Sequence, residues 1–332
     1  MKKISVVTPC FNEEESIREC YETIRDLFAR ELPGYAREHI FCDNASTDST
    51  VDILREIAAG DDCVKVIVNS RNFGPFRSNL NGVKNTTGDA VLMYLPADLQ
   101  DPPELLPEFV KQWEQGYGIV YGIRAEREEP RLMVLVRKAY YRLINKLSYI
   151  DIPLNVGDFQ LIDRKVADAL SAMKDNEPFP RIMTFETGFR ATGIPYTWKA
   201  RAHGFSKNRL HHLFSQGMTG LITSSTAPLR AALIFGMLVM MGSLLFALYT
   251  AVTHFLASGS LAPPGIPTLI VALFFFAGLQ LFFLGMLGEY VLAIFGQVRG
   301  RPLVYERERI NFDAPDKPTP SKRRKKPSAP KT

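Results

Sequence analysis

Short apolar runs alternate with amphipathic stretches along the first 120 residues of the chain. The apolar runs have the length of buried strands, and the stretches between them have helical periodicity. Strands are predicted at residues 4–8, 39–42, 64–68, 90–95 and 119–121, and helices at 12–28, 50–58, 76–84 and 104–115. Asn12 and Glu15 have capping-box spacing, which predicts that the first helix starts at Asn12. This order predicts an α/β fold with a mostly parallel sheet and helices on both faces.

Two long apolar segments follow the α/β part. Residues 231–252 contain no charged side chain, and residues 268–294 are equally apolar apart from Gln280 and Glu289. About 20 helical residues cross a ~30 Å hydrocarbon core, so each segment is long enough to span a membrane. A pair of buried core helices is the alternative, but core helices rarely stay apolar on all sides over this length.

The basic residues around these segments predict the membrane topology. The connection 254–267 has no Lys or Arg, whereas arginines precede the first segment and follow the second. The positive-inside rule therefore places this loop outside and both chain termini in the cytoplasm. We expect a multi-pass protein of the inner (plasma) membrane with its α/β part in the cytoplasm.

Two amphipathic stretches, at residues 132–147 and 210–222, combine an apolar face with basic side chains. Such helices suit the headgroup layer of a membrane, and packing against the sheet is the alternative. The predicted domains are an α/β domain (1–208), a juxtamembrane amphipathic helix (209–228), a two-helix transmembrane domain (229–298), a cytoplasmic C-terminal segment (299–316) and a disordered basic tail (317–332).

The positive charge of the chain is concentrated in this tail. Of the formal net charge of +5, residues 317–332 contribute seven basic side chains and no acid, so the first 316 residues are left at −2. A nucleic-acid-binding fold needs a basic surface on the fold itself. We therefore expect no nucleic-acid partner, and the tail lies on the same side as the anionic leaflet of the membrane.

Polar side chains follow three of the predicted strands, where an open α/β sheet keeps its ligand site. The three segments are TPCFNEEE (8–15), CDNASTDS (42–49) and PADLQDPPE (96–104). A carboxylate in this position can hold a divalent cation that neutralises a diphosphate leaving group. Asp and Asn after strands are commonly turn formers. Three such groups in order, followed by YGIR, GDFQLIDR and GFSK, favour a functional site.

Six segments in fixed order resemble the family-2 inverting glycosyltransferases: VTPCFNEEE, DNASTD, ADLQDPPE, GDFQLIDR, LGEYVLAIF and GRPLVY. They are most similar to the polyprenyl-phosphate branch, which includes dolichyl-phosphate mannose synthase and bacterial undecaprenyl-phosphate sugar transferases with two C-terminal spans. The resemblance covers about residues 3–309. It implies a GT-A nucleotide-binding domain, a nucleotide sugar and a polyprenyl phosphate as partners, and assembly into a homo-oligomer, a tetramer.

The resemblance also implies roles for individual residues. The nucleotide-binding residues are Pro9, Phe11, Glu13 and Asp43. The ligands of an Mg²⁺ or Mn²⁺ ion are Asp98 and Gln100. The catalytic residues are Asp98, Arg124 and Asp158, and the residues that bind phosphate or acceptor are Arg137, Arg201, Ser206 and Lys207. Asp158 belongs to the GDF motif and is either a base or an orienting residue.

Two departures from the family pattern affect acids. The usual D-D-G-S is D-N-A-S here, with Asn44 and Ala45, and Pro96 replaces the first acid of D-x-D. A proline side chain has no ligand atom, so the metal loses one protein carboxylate. Either Asp98, Gln100, the diphosphate and water suffice to hold the ion, or the metal dependence is weakened.

The implied reaction transfers a sugar, UDP-linked hexose or N-acetylhexosamine as a first choice, to polyprenyl phosphate with inversion at the anomeric carbon. Two alternatives remain. One is a polysaccharide-elongating family-2 synthase, although the Q-x-x-R-W motif of such enzymes is absent around Trp113 and Trp198. The other is a membrane-tethered nucleotide-sugar binder whose catalysis lapsed with Pro96 and Asn44.

Overall fold

The computed structural model of the chain describes residues 1–126, 153, 156–175, 178–197 and 266–312, together with single positions and short runs between 229 and 252. The amphipathic stretches at 132–147 and 210–222, and the basic tail at 317–332, lie outside the described residues.

One eight-stranded sheet forms the centre of the described fold. Its strands are β1 (Lys3–Cys10), β2 (Ala36–Asp43), β3 (Val64–Asn69), β4 (Ala90–Leu92), β5 (Ile119–Glu126), β6 (Val156–Asp163), β7 (Ala191–Thr197) and β8 (Glu306–Ile310). They lie in the order β7-β5-β6-β4-β1-β2-β3-β8. β4, β1, β2 and β3 are mutually parallel, and β7 is parallel to β5. β6 is antiparallel to both β4 and β5, so the sheet is mixed.

Helices cover both faces of this sheet, as the alternating pattern predicts. The described helices are α1 (Ile17–Glu31), α2 (Thr50–Gly60), α3 (Pro75–Lys84), α4 (Leu106–Glu114, after a 3-10 turn at Pro103–Leu105), α5 (Arg164–Ala172), α6 (Pro180–Glu186) and α7 (Ile266–Val298). The apolar sides of α1, α2 and α4 pack on one face, and those of α3, α5 and α6 pack on the other. Strand residues alternate between these two apolar layers, as a two-sided buried sheet requires.

The first helix begins later than the sequence pattern predicts. α1 starts at Ile17, and Asn12 has a left-handed backbone with φ of 54°. The side-chain Oδ1 of Asn12 accepts a hydrogen bond of 2.8 Å from the backbone N–H of Thr47. The predicted capping box at Asn12 and Glu15 is therefore wrong, because Asn12 links two loops instead of capping a helix.

α7 is a 33-residue helix with many exposed apolar side chains. Its part Phe275–Val298 is long and apolar enough to cross a membrane, and no other helix in the described part of the chain meets this criterion. The second apolar segment is thus a helix, as predicted. In the first apolar segment, each described position between 229 and 252 is helical.

After α7 the chain returns to the sheet as β8, a strand that the sequence pattern did not predict. β8 pairs antiparallel with β3 and forms one edge of the sheet, and its register shifts where Glu308 lies opposite Val68 and Glu306 opposite Asn69. The intervening Arg307 is the extra residue of a β-bulge. Residues 306–310 therefore belong to the same sheet as the N-terminal strands.

The loops after β1, β2 and β4 each contain a residue with a left-handed backbone conformation: Asn12, Ala45 and Leu99. Ala45 has φ of 61°, a conformation that costs a residue with a Cβ about 1–2 kcal/mol. This explains why glycine is usual at this position in the resembling family, and it marks Ala45 as a strained point of the fold.

We expect Ala45→Gly to stabilise the protein by about 0.5–1 kcal/mol, because relief of the left-handed strain exceeds the added entropy of the unfolded chain. The melting temperature in detergent should rise by about 2–4 °C. The control is Ala59→Gly in α2, which should lower it, since glycine weakens helices. A lower melting temperature for Ala45→Gly would contradict this account of the loop.

Candidate functional site

Strand directions bring the carboxyl ends of β1–β5 and β7 together with the amino end of β6 at one edge of the sheet, which we call the site edge. Leu161 of β6 lies opposite Leu92 of β4, so the first residues of β6 lie beyond the end of β4. Ile123 of β5 lies opposite Val156, and Arg124 opposite Tyr196 of β7. The described site residues at or next to this edge are Pro9, Phe11, Glu13, Asp43, Asp98, Gln100, Arg124 and Asp158.

Asp43 ends β2 and is fully buried. Its Oδ2 accepts a 3.0 Å hydrogen bond from the backbone N–H of Ser46, whose hydroxyl donates to Oδ1. The hydroxyl of Ser46 also accepts a 2.9 Å bond from the backbone N–H of Asn12, in the loop after β1. Burial raises the pKa of Asp43, and the bonds from Ser46 and the charge of Arg307 oppose this rise.

The other predicted nucleotide-binding residues lie at the end of β1 and in the loop that follows. Pro9 is buried and lies opposite Cys42 of β2, while Phe11 and Glu13 are half-buried. The carboxylate of Glu13 accepts a 2.9 Å hydrogen bond from the hydroxyl of Ser16. The structure therefore brings Pro9, Phe11 and Glu13 next to the Asp43 loop.

Asn44 occupies a buried polar network. Its Oδ1 accepts hydrogen bonds from Asn69 Nδ2 at 3.1 Å and from the backbone N–H of Phe73 at 3.4 Å. Asn69 Nδ2 also donates to the hydroxyl of Ser78 in α3. A neutral amide suits this position, because burying a carboxylate among neutral partners costs more than burying an amide. The departure at Asn44 thus has a structural role.

Asp98 and Gln100 lie in a tight turn after β4. The backbone N–H of Gln100 donates to Asp98 Oδ1 at 3.3 Å, and the N–H of Leu99 donates to the carbonyl of Pro96 at 3.1 Å. Carboxylate and amide oxygens are ligands that Mg²⁺ and Mn²⁺ accept. No group of three His, Cys, Asp or Glu side chains in the described residues is placed to hold a metal ion. The residues present fit a cation that takes its other ligands from substrate and water.

Arg124 is held at the end of β5 by two buried side chains. Its Nη2 donates to the carboxylate of Asp101 at 3.1 and 3.2 Å, and its Nε donates to the hydroxyl of Tyr196 at 3.0 Å. The Tyr196 hydroxyl in turn donates to Asp101. Burial lowers the pKa of Arg124, but Asp101, Tyr196 and Asp158 outweigh this effect and raise it. Arg124 therefore stays charged and is fixed in orientation.

Asp158 lies on β6 itself, so the GDF motif is part of a strand. Its carboxylate faces Arg181 of α6 in a two-point contact, with Nε to Oδ1 at 3.0 Å and Nη2 to Oδ2 at 2.5 Å. A Cβ on the neighbouring Gly157 would lie 3.4 Å from Arg124 Nε and 3.7 Å from the Tyr196 hydroxyl. Successive residues of a strand point to opposite faces of the sheet, so the Arg124 cluster and the Asp158–Arg181 pair lie on opposite faces at the same end of the sheet.

Tyr94 shares the electrostatic environment of both pairs. Burial raises its pKa above the ordinary value, and the charges of Asp158, Asp101 and Asp98 raise it further, while Arg124 opposes them. Tyr94 therefore stays neutral over the physiological range, with its hydroxyl as a hydrogen-bonding group.

Three residues of this arrangement were not identified from the sequence: Asp101, Tyr196 and Arg181. Asp101 belongs to the PADLQDPPE segment, in which the family motif points to Asp98. Tyr196 and Arg181 belong to no motif that was singled out. Four predicted phosphate- or acceptor-binding residues lie outside the described residues: Arg137, Arg201, Ser206 and Lys207.

Comparison with known proteins identifies the class. Residues 5–171 match the model of glycosyl transferase family 2. The uncharacterized glycosyltransferase YkcC of Bacillus subtilis is 34% identical over 300 residues, which cover 90% of this chain and 91% of that protein. The chain therefore belongs to glycosyl transferase family 2, and it is a glycosyltransferase with a GT-A-like fold.

A further relative has a more specific name. The bactoprenol glucosyl transferase of Shigella phage SfX is 33% identical over 301 residues, covering 90% of this chain and 97% of that protein. Among solved structures, the mannosyltransferase PcManGT from Pyrobaculum calidifontis, in complex with GDP-Man and Mn²⁺, matches with a TM-score of 0.45. It is 16% identical, and the match covers 90% of this chain and 87% of that one.

We expect Tyr196→Phe to lower the turnover of glycosyl transfer about tenfold, because the hydroxyl that fixes Arg124 and bonds Asp101 is lost while the ring remains. The matched control is Tyr121→Phe on β5. Tyr121 contacts the ring of Phe185 and has no hydroxyl bond in the described part of the chain, so this variant should keep wild-type turnover. Initial rates of both purified variants test the prediction, and equal turnover of Tyr196→Phe and wild type would refute it.

Proposed function

We propose that this protein transfers a sugar from a nucleotide-sugar donor, a UDP-hexose or UDP-N-acetylhexosamine as a first choice, to membrane polyprenyl phosphate with inversion. The observation that carries this proposal is the 33% identity with a bactoprenol glucosyl transferase over 97% of that relative, a match that includes both the site edge and the apolar C-terminal part. The product is a polyprenyl-phosphate sugar, and the leaving group is a nucleoside diphosphate.

The site edge provides binding groups for both halves of this reaction. Pro9, Phe11, Glu13 and Asp43 bind the nucleotide at the ends of β1 and β2 and in the loop after β1. Arg124, held by Asp101 and Tyr196, offers a fixed positive charge to the phosphate groups. Preorganised charge stabilises the negative charge that develops on the leaving diphosphate without a cost of reorganisation. Arg137, Arg201, Ser206 and Lys207 complete the proposed set on the acceptor side.

An attached membrane domain is part of the proposal. β7 and β8 lie in one sheet, so the chain that joins Thr197 to Glu306 leaves and returns on the same side of any membrane. An even number of crossings is then required. If α7 crosses once, a second crossing must precede it, and residues 231–252 are long and apolar enough to make it. Two spans, with the catalytic domain and both termini in the cytoplasm, fit this requirement. A tetramer remains a proposal from family resemblance.

A divalent cation, Mg²⁺ or Mn²⁺, would be held by Asp98 and Gln100 and would neutralise charge on the leaving diphosphate. Pro96 supplies no ligand, and Asp101 is engaged by Arg124. The protein thus offers one carboxylate where the family pattern has two.

Restoring the missing acid should strengthen metal binding. We expect Pro96→Asp to lower the Mg²⁺ or Mn²⁺ concentration that gives half-maximal transfer about tenfold, because a second carboxylate approaches the ion. Asp98→Asn should raise it at least tenfold. Metal titrations of the initial rate after EDTA treatment measure both shifts, and an unchanged titration curve for Asp98→Asn would show that Asp98 is not a ligand.

The acceptor needs no strong base. A phosphate monoester has a second pKa near 6 and is mostly a nucleophilic dianion at neutral pH. We expect kcat/KM for the acceptor to be constant above about pH 7 and to fall about tenfold per unit well below pH 6, because the dianion is lost. A pH–rate profile with a saturating donor tests this, and a rate that stays flat down to pH 5 would contradict it.

Incubation of the purified protein with undecaprenyl phosphate and a panel of labelled nucleotide sugars tests the function itself. Label in the lipid extract from one donor, lost with EDTA, is the expected result and identifies the sugar. Transfer onto a growing polysaccharide would instead support an elongating synthase, and absence of transfer across the full panel would refute the proposal.

A further inference from the structure

The pair of Asp158 and Arg181 connects the site edge with α6. Both side chains are largely buried, with exposed side-chain fractions of 11% and 20%. The guanidinium also lies over the ring of Phe179, with its central carbon 5.1 Å from the ring centroid. A two-point bond and a stacking contact fix the plane of Arg181. An arginine held in this way is pre-organised for a planar contact with oxyanions.

Packing of α6 onto the sheet does not by itself account for this pair. Thr184, one turn further along α6, donates to Gln160 Oε1 of β6 at 2.9 Å, and Ile182 and Met183 are buried in the apolar layer. These contacts already attach α6 to β6. The Asp158–Arg181 contact is the one nearest the site edge, and a buried ion pair costs desolvation that apolar residues of similar volume avoid. Val156, two residues before Asp158, pairs with Ile123 beside Arg124, so the Asp158–Arg181 contact lies at the end of the sheet that carries Arg124, and this position points to a role in the site.

Asp158 is poorly arranged to act as a base. Both of its oxygens accept hydrogen bonds from the guanidinium of Arg181, so the carboxylate is already engaged by a planar partner. In the proposed reaction an oxygen of the acceptor dianion forms the bond to the anomeric carbon, and the nucleoside diphosphate departs with the electron pair of the broken bond. No proton has to be removed in this step.

We propose that Arg181 is a phosphate-binding residue of this site and that Asp158 is its positioning residue. Guanidinium carries five N–H donors in a planar fork, so it can bond a carboxylate along one edge and a phosphate along another. Asp158 then contributes to transfer by orienting Arg181. This inference rests on the proposed function for the identity of its ligands, which are the donor diphosphate or the acceptor phosphate.

A double-mutant cycle on full-length protein tests the inference. Asp158→Asn and Arg181→Gln should each lower kcat/KM about 10²-fold, and the double variant should be no worse than either single one, since the two residues act as a unit. Arg181→Lys keeps the charge opposite Asp158 and loses the planar fork, so it should fold and lose about tenfold. The matched control is Thr184→Val, which removes another polar contact between α6 and β6 and should keep wild-type kcat/KM. Melting temperatures in detergent identify any variant that fails to fold. If Asp158→Asn or Arg181→Gln fails to fold, the kcat/KM of Arg181→Lys tests the inference instead.

Changes in KM and in binding affinity show whether Arg181 binds the acceptor phosphate or the donor diphosphate. A rise in KM for undecaprenyl phosphate alone assigns Arg181 to the acceptor, and a rise in KM for UDP-glucose, or for the active donor of the panel, assigns it to the diphosphate. Calorimetric titration with UDP and with undecaprenyl phosphate in detergent micelles measures the same preference without turnover. If the wild type transfers no sugar, the proposed function fails and these titrations decide the inference alone.

Three outcomes would overturn the inference. Multiplicative losses in the double variant would show that Asp158 and Arg181 act independently. A severe loss in Asp158→Asn with near-wild-type turnover in Arg181→Gln would return Asp158 to a role as base. Wild-type affinity of Arg181→Gln for both UDP and undecaprenyl phosphate would exclude phosphate binding.

Discussion

The antiparallel position of β6 between β4 and β5 is the constraint on which the site depends. With Leu161 opposite Leu92, the strand runs past the end of β4 and brings Asp158 to the edge where Asp43 and Asp98 already lie. Its pairing with β5 brings Arg124 to the same edge, and β7 adds Tyr196. A parallel β6 would carry Asp158 to the opposite edge. The chemistry of the protein therefore follows from the direction of one strand.

Buried Asp–Arg pairs then give the site edge its rigidity. Removing an ion from water costs several kcal/mol of desolvation free energy. The attraction of the partner charge offsets this cost only when the geometry is good and the remaining polar atoms are hydrogen-bonded. The clusters of Arg124 with Asp101 and Tyr196, and of Arg181 with Asp158, satisfy this condition. They contribute little net stability compared with the apolar layers, but they fix two positive groups where a diphosphate gains charge.

The apolar helix α7 is connected to this edge through the sheet itself. β8 follows α7 and pairs with β3, so the end of α7 is connected to the strand that carries Asn69, a partner of Asn44. The bulge at Arg307 brings its charge near enough to oppose the burial effect on Asp43. The apolar helix α7 and the loops of the site edge are thus connected through one sheet.

Sequence patterns predicted the first half of this fold well, because β1–β5 are short apolar runs separated by helical stretches and carry their polar residues directly after the strands. They did not predict β6 and β7, and they did not predict β8 because it is the charged strand ERERI. Apolar runs also carry no information on strand direction, so the antiparallel β6 was not expected. Asp43, Asp98, Arg124 and Asp158 were identified through motifs. Asp101, Tyr196 and Arg181 were not, because their roles arise from contacts with residues 23 or 95 positions away, which no local pattern contains.

The central claim is that one displacement takes place at one edge, with the acceptor phosphate attacking the face of the sugar opposite to the departing diphosphate. The anomeric configuration of the lipid product tests this most directly. With an α-linked donor such as UDP-glucose, NMR of the purified product should show a β-linked sugar phosphate. An α-linked product would contradict the account, since retention requires a second displacement or a different attack geometry.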